Sequence, residues 1–362
     1  MIRVLQCVNN MDRAGLETML MNYYRNIDRT KIQFDFLMHR SEKSDYDDEI
    51  EALGGRIYRA PRLYPQNYPA YFAYMKRFFA EHPEYQIIHS HIDAMSYLPL
   101  LAAKRAGVSV RIAHSHSTSI DRDMKYLLKQ YFRFMLRGVT SHYCACGTEA
   151  GKFLFGKREF TVIPNAIDAE IYRFNVGMRN EKRRELGVEN EFVVGHIGRF
   201  TYAKNHMFLV DIFHEIKKQQ PQAVLLLVGT GEKEAAVKRY VEKLALGDSV
   251  CFLGVRSDVH ELYQAMDVFV MPSLFEGVPV VGIEAQFSGL PCVFSDRVPK
   301  EVAFTDECHF VELNMSAQEW AMRALACRSK HNGQIASGKY DIRKAHIALE
   351  TYYETVLVET RQ

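Results

Sequence analysis

The alternation of two kinds of apolar run constrains the fold of this 362-residue chain more than any other feature of its sequence. Short strand-like runs, such as RVLQCV and QIIHSH, alternate with longer amphipathic runs, such as LETMLMNYYRNI, whose apolar residues recur at helical spacing. Strands that alternate with helices favour βαβ units and a parallel sheet. The same rhythm starts again at FVVGHIGRF. The sequence therefore predicts two Rossmann-like, doubly wound α/β domains.

A polar and charged stretch at residues 166–190 separates the two halves of this pattern. We place the first domain at residues 1–168, the second at 169–335, and a last helical segment at 336–362. Ligands of open α/β sheets bind outside the carboxyl ends of the strands. We therefore expect functional side chains directly after strands.

Composition limits the class of protein. Hydrophobic residues make up 48% of the chain and charged residues 25%, which is ordinary for a globular protein, and the net charge of +2 demands no polyanionic partner. Residues 1–187 nevertheless carry 28 Lys and Arg against 21 Asp and Glu. This excess indicates either an acidic partner or a merely uneven surface charge. No zinc-finger or RNA-binding pattern points to nucleic acid.

The cysteines and the N-terminus indicate the cellular compartment in which we expect the protein. Seven cysteines are scattered without zinc spacing, which favours a reduced, cytoplasmic protein. The N-terminal MIRVLQCVNN enters a strand pattern directly, so we expect no signal peptide. No run reaches the roughly 18 uncharged apolar residues that a membrane helix needs.

The loop GHIGRFTYAKN, residues 195–205, follows the first strand of the second half. Gly198 lets the backbone approach a ligand, and Arg199 and Lys204 add two cations to the same turn. A fork-shaped donor and a mobile point charge suit a diphosphate. Two solvated basic residues on a loop are the alternative.

The turn VGTGE, residues 228–232, ends the next strand at a predicted helix start. Gly229 and Gly231 would leave backbone N–H groups there for phosphate, ribose or base edges. The pattern is neither a full GxGxxG fingerprint nor a Walker sequence.

The stretch FEGVPVVGIEAQFSGLP, residues 275–291, places Glu276 and Glu284 in apolar surroundings. Gly277 and Pro279 mark a turn before a helix, so Glu276 lies on the loop and Glu284 about one turn into the helix. Buried carboxylates are costly without partners, so polyol hydroxyls or cations are expected here. The alternative is a surface loop charge and a charge near a helix N-terminus.

His-Ser-His ends one predicted strand, at His89 and His91, and is repeated after the next strand, at His114 and His116. Metal binding is one interpretation, but we favour recognition of a sugar hydroxyl or phosphate oxygen by imidazole. Histidines satisfied inside a loop are the alternative. We interpret the two DxD strings, at 45–47 and 121–123, as solvated helix faces and predict no metal site.

Two further features lie in the first half. Gly15 lies in a polar loop before a helix, where N–H groups could meet a leaving diphosphate.

The segments 62–79 and 125–137 are aromatic and basic, and Lys125 is the first residue of the second segment. A basic amphipathic helix of this kind can lie on an anionic membrane or pack on its own sheet with lysines outward.

Several of these motifs, in this order, carry a family resemblance. They are GRFTYAK, the pair Glu276 and Glu284, VIPNAID at 162–168, the HSH that ends a strand, and the segment 252–273. The chain resembles retaining GT-B glycosyltransferases of family 4, common in bacterial polysaccharide synthesis, over nearly its whole length. The resemblance implies two domains facing across a cleft: 1–168 for the acceptor and 169–335 for the nucleotide sugar. It also implies that segment 336–362 crosses back to the first domain.

The resemblance also implies roles for residues. Arg199 and Lys204 would bind the donor diphosphate, Glu276 the hydroxyls of the transferred sugar, and Glu284 the ribose. His91 would contact the donor sugar beside the anomeric carbon. The remaining donor-side positions implied are Gly15, Gly198, Gly229, Gly231, Arg256 near the base, and the backbone of Gly277, Val278, Pro279 and Val280. His116 is a candidate on the acceptor side, and Asn165 would lie at the interdomain turn.

Two positions depart from the family pattern. Ala14 replaces the first glycine of the usual pair before Gly15, and Ala166 replaces the glycine of PNGVD. Neither change removes a charged group, so we still expect activity.

The resemblance implies transfer of a sugar, with retention, from a nucleoside diphosphate sugar to a saccharide or a lipid-linked saccharide. Family frequency favours UDP. No cofactor is required in this mechanism, because the two cations stabilise the departing diphosphate. The enzyme would be cytoplasmic, at the inner face of the membrane if segments 62–79 and 125–137 bind lipid. The alternatives are a non-hydrolysing sugar-nucleotide epimerase of the same fold and a non-catalytic sugar-nucleotide-binding protein.

Overall fold

The computed structural model describes residues 1–119, 126–327 and 338–360. The described residues form two compact units, Met1–Ile167 with Lys339–Gln362, and Asp168–Gly338. Each unit contains one sheet whose strands all run parallel, with helices between them. The prediction of two Rossmann-like α/β domains is confirmed.

The first unit has a seven-stranded sheet in the order β3-β2-β1-β4-β5-β6-β7. Its strands are β1 Ile2–Val8, β2 Ile32–Met38, β3 Ile57–Arg59, β4 Ile87–Ser90, β5 Val110–Ser115, β6 His142–Ala145 and β7 Thr161–Val162. Its first six helices are α1 Gly15–Asn26, α2 Asp47–Ala52, α3 Tyr68–Glu81, α4 Tyr97–Arg105, α5 Tyr126–Met135 and α6 Thr148–Phe155. The strand order reverses between β1 and β4, which is where ligands bind in such sheets.

The second unit has a six-stranded sheet in the order β10-β9-β8-β11-β12-β13. Its strands are β8 Val193–Ile197, β9 Val224–Val228, β10 Val250–Gly254, β11 Val268–Met271, β12 Cys292–Ser295 and β13 Cys308–Val311. Its helices are α7 Ala169–Tyr172, α8 Val176–Leu186, α9 His206–Gln219, α10 Glu234–Lys243, α11 Val259–Ala265, α12 Val280–Phe287 and α13 Ala317–Ala326. Here the order reverses between β8 and β11.

The last helix of the chain, α14 at Ile342–Glu359, belongs to the first unit. A bridge between Ile167 and Asp341 brings the chain to it. Its buried face, which includes Ile342 and Tyr353, packs into the same core as β1 and α1. This helix therefore contributes side chains to the interior of a domain that begins more than 300 residues earlier in the sequence.

The interpretation of residues 45–47 as a solvated face is wrong for Asp47. Its carboxylate is buried, accepts a 3.0 Å hydrogen bond from the amide of Ser44 and forms an ion pair with Arg59. The cause is tertiary, because Arg59 ends the edge strand β3 and reaches the start of α2. The other DxD string, at 121–123, lies outside the described residues, as does Lys125.

Candidate active site

Two loops meet at the carboxyl edge of the second sheet, where its strand order reverses. One follows β8 and the other follows β11. The amide of Leu274 donates a 2.7 Å hydrogen bond to the carbonyl of Ala203, and the Asn205 side chain donates to the carbonyl of Pro272 at 3.2 Å. Asn205 adopts a left-handed conformation, with φ of 56°, immediately before α9. These contacts bring two sequence-predicted motifs, some 70 residues apart, into one site.

An ion pair joins the two loops. Lys204 Nζ lies 2.6 Å from Glu276 Oε1, and the two side chains are only 18% and 12% exposed. A pair so little exposed is weakly screened by solvent, so its attraction is stronger than that of a surface pair. An incoming anion would compete with Glu276 for Lys204, and an incoming hydroxyl could donate to Glu276.

Arg199 lies on the loop after β8 that also carries Lys204. Its side chain is exposed and makes no ion pair with any residue in the described ranges. A guanidinium offers five N–H donors in a planar fork, which suits phosphate oxygens. Arg199 is therefore available to an anion in this structure, whereas Lys204 is held by Glu276.

The sequence-predicted glycines after β9 serve the packing of the loop after β8. Gly229 has φ of 127°, and a side chain there would overlap the carbonyl oxygen of Gly198. A Cβ on Gly231 would lie 2.6 Å from the carbonyl oxygen of Phe200. The amide of Gly229 donates to the carbonyl of Gly254 at 2.7 Å, and that of Gly198 donates to the carbonyl of Val228 at 2.9 Å. The amides of Gly229 and Gly198 are thus already engaged within the unit, so these two glycines shape the site without offering an N–H.

Glu284 is buried on α12 and both its carboxylate oxygens accept hydrogen bonds from tyrosines. Tyr172 Oη lies 2.8 Å from Oε1, and Tyr263 Oη lies 2.9 Å from Oε2. Burial raises the pKa of Glu284, and the two tyrosine hydrogen bonds oppose that shift. Each oxygen keeps a second lone pair, so the carboxylate can still accept a further hydroxyl. Tyr172 belongs to none of the sequence motifs, and Tyr263 lies in segment 252–273 but was given no role there.

The turn before α12 contains the predicted backbone donors. Pro279 is the N-cap of α12, so it lies just before the helix and has no amide hydrogen to offer. Its carbonyl accepts from the amides of Gly282 and Ile283. Gly277 is half-buried, and Val278 and Val280 are buried. The helix start presents N–H groups without intrahelical acceptors, which favours an anion or an oxygen acceptor.

Arg256 is held by acidic side chains in this structure. Its Nε and Nη2 atoms lie 2.7 and 2.6 Å from the two carboxylate oxygens of Asp258, and Glu185 lies 3.5 Å away. Lys182 also pairs with Asp258, at 2.8 Å. These cations lower the pKa of Asp258. The neighbouring Val255 is exposed.

The reversal point of the first sheet carries the other predicted positions. Gly15 is the first residue of α1, after β1, and Ala14 is its extended N-cap. His91 directly follows β4, and its amide donates to the carbonyl of Cys7 at 2.9 Å. His116 directly follows β5, and its amide donates to Asp93 at 2.9 Å. His91 and His116 therefore lie at strand ends, and Gly15 lies at the start of the helix that follows β1.

His89 and His114 lie on strands, and not in a loop as the alternative interpretation proposed. Both are fully buried, and their rings are joined by a hydrogen bond of 3.0 Å. Nitrogen atoms of His89, His91 and His114 all lie within 4.8 Å of one another. The rings of His89 and His91 are stacked, however, 4.2 Å apart at 28°. Stacked rings direct their in-plane lone pairs side by side, whereas a metal needs them to converge, so this arrangement favours hydrogen bonding.

Asn165, predicted at the interdomain turn, is buried in the first unit just before the division at Ile167. Two residues that contact the histidines, Gln6 and Tyr353, escaped sequence reasoning. Gln6 could have been noticed as a lone amide in the apolar strand RVLQCV. Tyr353 gives no such signal, because it is one aromatic residue among several on an amphipathic helix.

Comparison with protein families and known proteins shows which proteins this chain is similar to. The profile of glycosyl transferases group 1 matches residues 178–323, and that of glycosyltransferase family 4 matches residues 13–171. The Bacillus subtilis (strain 168) protein named "Putative glycosyltransferase EpsF" is 37% identical over 309 residues, which cover 83% of this chain and 80% of EpsF.

Two more distant matches extend the comparison. An Escherichia coli enzyme named UDP-Gal:alpha-D-GlcNAc-diphosphoundecaprenol alpha-1,3-galactosyltransferase is 28% identical over 225 residues, or 59% of this chain and 58% of that enzyme. The structure of Anabaena HepE in complex with UDP and glucose superimposes with a TM-score of 0.81 at 20% identity, covering 98% of this chain and 100% of HepE. That likeness shows the fold. With the EpsF match and the two profiles, it establishes that the chain belongs to the family 4 glycosyltransferases of GT-B fold.

Proposed function

We propose that this glycosyltransferase moves a sugar, with retention of anomeric configuration, from a UDP-sugar to a saccharide or a lipid-linked saccharide in bacterial polysaccharide biosynthesis. The observation that carries the proposal is the Lys204–Glu276 ion pair, whose lysine shares a loop with the exposed Arg199. Two relatives support the choice of substrates. HepE was solved with UDP and glucose, and the name of the E. coli enzyme specifies UDP-Gal and a diphosphoundecaprenol-linked acceptor.

Donor binding would rearrange the ion pair. The diphosphate carries more negative charge than one carboxylate, so it would draw Lys204 away from Glu276, and Arg199 would bind it as a fork. Glu276, released from Lys204, would accept hydrogen bonds from hydroxyls of the transferred sugar. The same event would therefore create the cationic and the acidic parts of the donor site.

Glu284 would accept from the ribose hydroxyls while Tyr172 and Tyr263 hold its two oxygens in place. The first N–H groups of α12 would face the sugar or the phosphate. Arg256, which is hydrogen-bonded to Asp258 in this structure, would approach the base. Gly198, Gly229 and Gly231 would shape the loop that carries Arg199 and Lys204.

The chemistry requires charge stabilisation more than a protein nucleophile. As the glycosidic bond to phosphate breaks, positive charge develops at the anomeric carbon and negative charge at the departing oxygen. Arg199 and Lys204 would stabilise the oxygen, because fixed cations act most strongly where charge develops in the transition state. The departing phosphate would take the proton from the acceptor hydroxyl, which attacks on the same face.

A panel of nucleotide sugars tests this function. Thermal-shift measurements identify the donor, and mass spectrometry then follows the product in the presence of extracted lipid acceptors. We expect a UDP-sugar to stabilise the protein and a glycosylated acceptor to form with the anomeric configuration of the donor, read by NMR. A second nucleotide sugar formed without acceptor would indicate an epimerase instead, and binding without turnover would indicate a non-catalytic protein.

We also propose that α5 contacts the inner face of the membrane. Along this helix Leu127, Tyr131 and Phe134 follow each other at helical spacing and are 81%, 56% and 58% exposed. The guanidinium of Arg137 lies 4.0 Å from the ring centre of Phe134. Apolar side chains flanked by cations suit an anionic lipid surface.

The other predicted segment, 62–79, buries much of its aromatic content in α3, at Tyr71, Phe78 and Phe79. Within the described ranges, no helix has the length and hydropathy needed to span a bilayer.

Vesicle flotation tests the membrane contact. We expect the intact protein to float with vesicles containing anionic lipid, and the double variant Leu127→Ser, Phe134→Ser to bind at least about tenfold more weakly, because burial of each side chain is worth on the order of 1.5–3 kcal/mol. Ile347→Ser, which changes an equally exposed apolar residue on α14, serves as the control. Equal flotation of both variants would exclude α5 as the contact.

A further inference from the structure

Four imidazoles form two hydrogen-bonded pairs at the carboxyl ends of β4 and β5. His89 Nε2 lies 3.0 Å from His114 Nδ1, and His91 Nδ1 lies 3.0 Å from His116 Nε2. Three of the four rings are buried, and His116 is partly accessible. In each pair one ring must donate and the other must accept, so the pairs alone leave the direction of every bond open.

Gln6, buried on β1, joins the two pairs. Its Oε1 lies 2.8 Å from Nε2 of His91, and its Nε2 lies 3.2 Å from the hydroxyl of Tyr353. That hydroxyl lies 2.7 Å from Nδ1 of His89. An amide oxygen can only accept and an amide nitrogen can only donate. These six side chains form one hydrogen-bonded array with two halves. The first half runs from Gln6 through His91 to His116, and the second runs from Gln6 through Tyr353 and His89 to His114. One glutamine therefore sets the direction of the hydrogen bonds in both halves.

The first half ends at an available lone pair. Because the Gln6 oxygen accepts, His91 carries its hydrogen on Nε2 and leaves a lone pair on Nδ1. His116 must then carry its hydrogen on Nε2 to donate to His91. The Nδ1 atom of His116 is left as an acceptor, and it makes no hydrogen bond with a residue of the described ranges. Both nitrogens of His91 are occupied, so the free end of this half belongs to His116.

The second half ends at a buried donor. The Gln6 amide donates to the Tyr353 oxygen, whose hydroxyl donates to Nδ1 of His89. His89 then donates from Nε2 to Nδ1 of His114. The hydrogen of His114 lies on Nε2, a buried atom without a hydrogen-bond partner in the described part of the chain.

The array works only while the rings are neutral, because an imidazolium has no lone pair to accept with. Burial lowers the pKa of His89, His91 and His114 far below the ordinary value, and lowers that of His116 to about 3. All four rings are therefore neutral at neutral pH, and each has one tautomer.

We propose that Gln6 is a positioning residue for sugar transfer: through His91 it holds His116 in the tautomer whose Nδ1 accepts a hydrogen bond from a hydroxyl of the bound saccharide. This inference rests on the function proposed above. The reversed amide orientation would reverse every tautomer in both halves, and His116 would then present an N–H. The two orientations thus predict opposite hydrogen-bonding partners on the substrate.

Nitrogen-15 NMR of the histidine rings tests the tautomers without substrate and so without reference to activity. In the intact protein we expect His91 and His116 to carry hydrogen on Nε2. Gln6→Met, which keeps the side-chain shape but removes both polar groups, should leave His91 and His116 as a mixture of tautomers. Tyr353→Phe should alter His89 and His114 only. Hydrogen on Nδ1 of His116 in the intact protein, or spectra unchanged in Gln6→Met, would overturn the proposal.

Steady-state kinetics complete the test. We expect Gln6→Met to lower kcat by about tenfold, the scale of one lost hydrogen bond, and Tyr353→Phe to remain within about twofold of the intact enzyme. Equal losses in both variants would mean that the array is merely structural. If no variant and no intact protein transfers sugar, the proposed function fails, while the NMR result still decides whether Gln6 sets the tautomers.

Discussion

Replacement of Lys204 by methionine is expected to lower kcat/KM by about a hundred- to a thousandfold, the scale observed when one preorganised group that stabilises a developing anion is removed. Methionine keeps much of the aliphatic length of lysine and removes only the charge. In this structure Lys204 pairs with Glu276, and we propose that the same ammonium binds the departing diphosphate. The loss should appear mainly in kcat, because the charge on the leaving oxygen grows as the bond breaks.

The control for this prediction is Lys218→Met. Lys218 is an exposed lysine on α9 that pairs with Glu215 one turn away, and its replacement should leave kcat/KM within about twofold. Thermal unfolding of both variants separates a folding defect from a catalytic one. Glu276→Ala should likewise abolish turnover while the protein remains folded. Activity of Lys204→Met within about threefold of the intact enzyme would remove the loop after β8 from the catalytic site.

Acidification from pH 7 to pH 5 is expected to destabilise the first unit by several kcal/mol, on the order of 1–2 kcal/mol for each buried histidine. Burial lowers the pKa of six described histidines in this unit, to about 4 for His39 and to about 3 for His116. The pKa values of the other four, the buried His89, His91 and His114 and the half-buried His142, shift in the same direction.

The sign of this change in stability follows from the number of protons that the folded and unfolded states bind. Between the ordinary histidine pKa near 6.5 and the lowered folded values, the unfolded chain binds protons that the folded chain cannot, so stability falls as the pH falls. Above about pH 7.5 neither state binds them, and stability should be flat. In the described part of the second unit, burial lowers the pKa of two histidines, to about 4 for His196 and to about 2 for His206, so this unit should lose less stability. Carboxylates such as Asp258, whose pKa is lowered, stay ionised across this window.

Hydrogen exchange measured at pH 7, 6 and 5 reports the two units separately. Amides of β4 and β5 should lose protection faster with falling pH than those of β8 and β9. His39→Gln should reduce the pH slope of the first unit by up to about one proton, whatever its effect on absolute stability. Parallel loss of protection in both units, or a slope unchanged in His39→Gln, would contradict the assignment of acid sensitivity to these histidines.

The positions of the proposed donor site could be read from the sequence, but their partners could not. Arg199, Lys204, Glu276 and Glu284 stand out because charged residues after apolar strands are unusual and form a familiar pattern. The two tyrosines that hold Glu284 come from α7 and α11: Tyr172 lies 112 residues away and in no motif, and Tyr263 lies in segment 252–273, whose pattern indicates no contact with Glu284. Gly229 and Gly231 were expected at a ligand, whereas their lack of a side chain first makes room for the loop at Gly198 and Phe200.

What the sequence by itself determined is the class of fold and the edge of each sheet where function lies. The spacing of apolar residues sets strands against helices, and polar residues after the strands mark the carboxyl ends. What only the tertiary structure decided is the hydrogen-bonding state of those side chains: which carboxylate Lys204 pairs with, and which nitrogen His116 leaves free. The reason is physical, since a hydrogen bond depends on atoms within about 3 Å of each other, and folding brings such atoms together from any distance along the chain. Gln6 and Tyr353, at opposite ends of the sequence, meet at one hydroxyl for that reason.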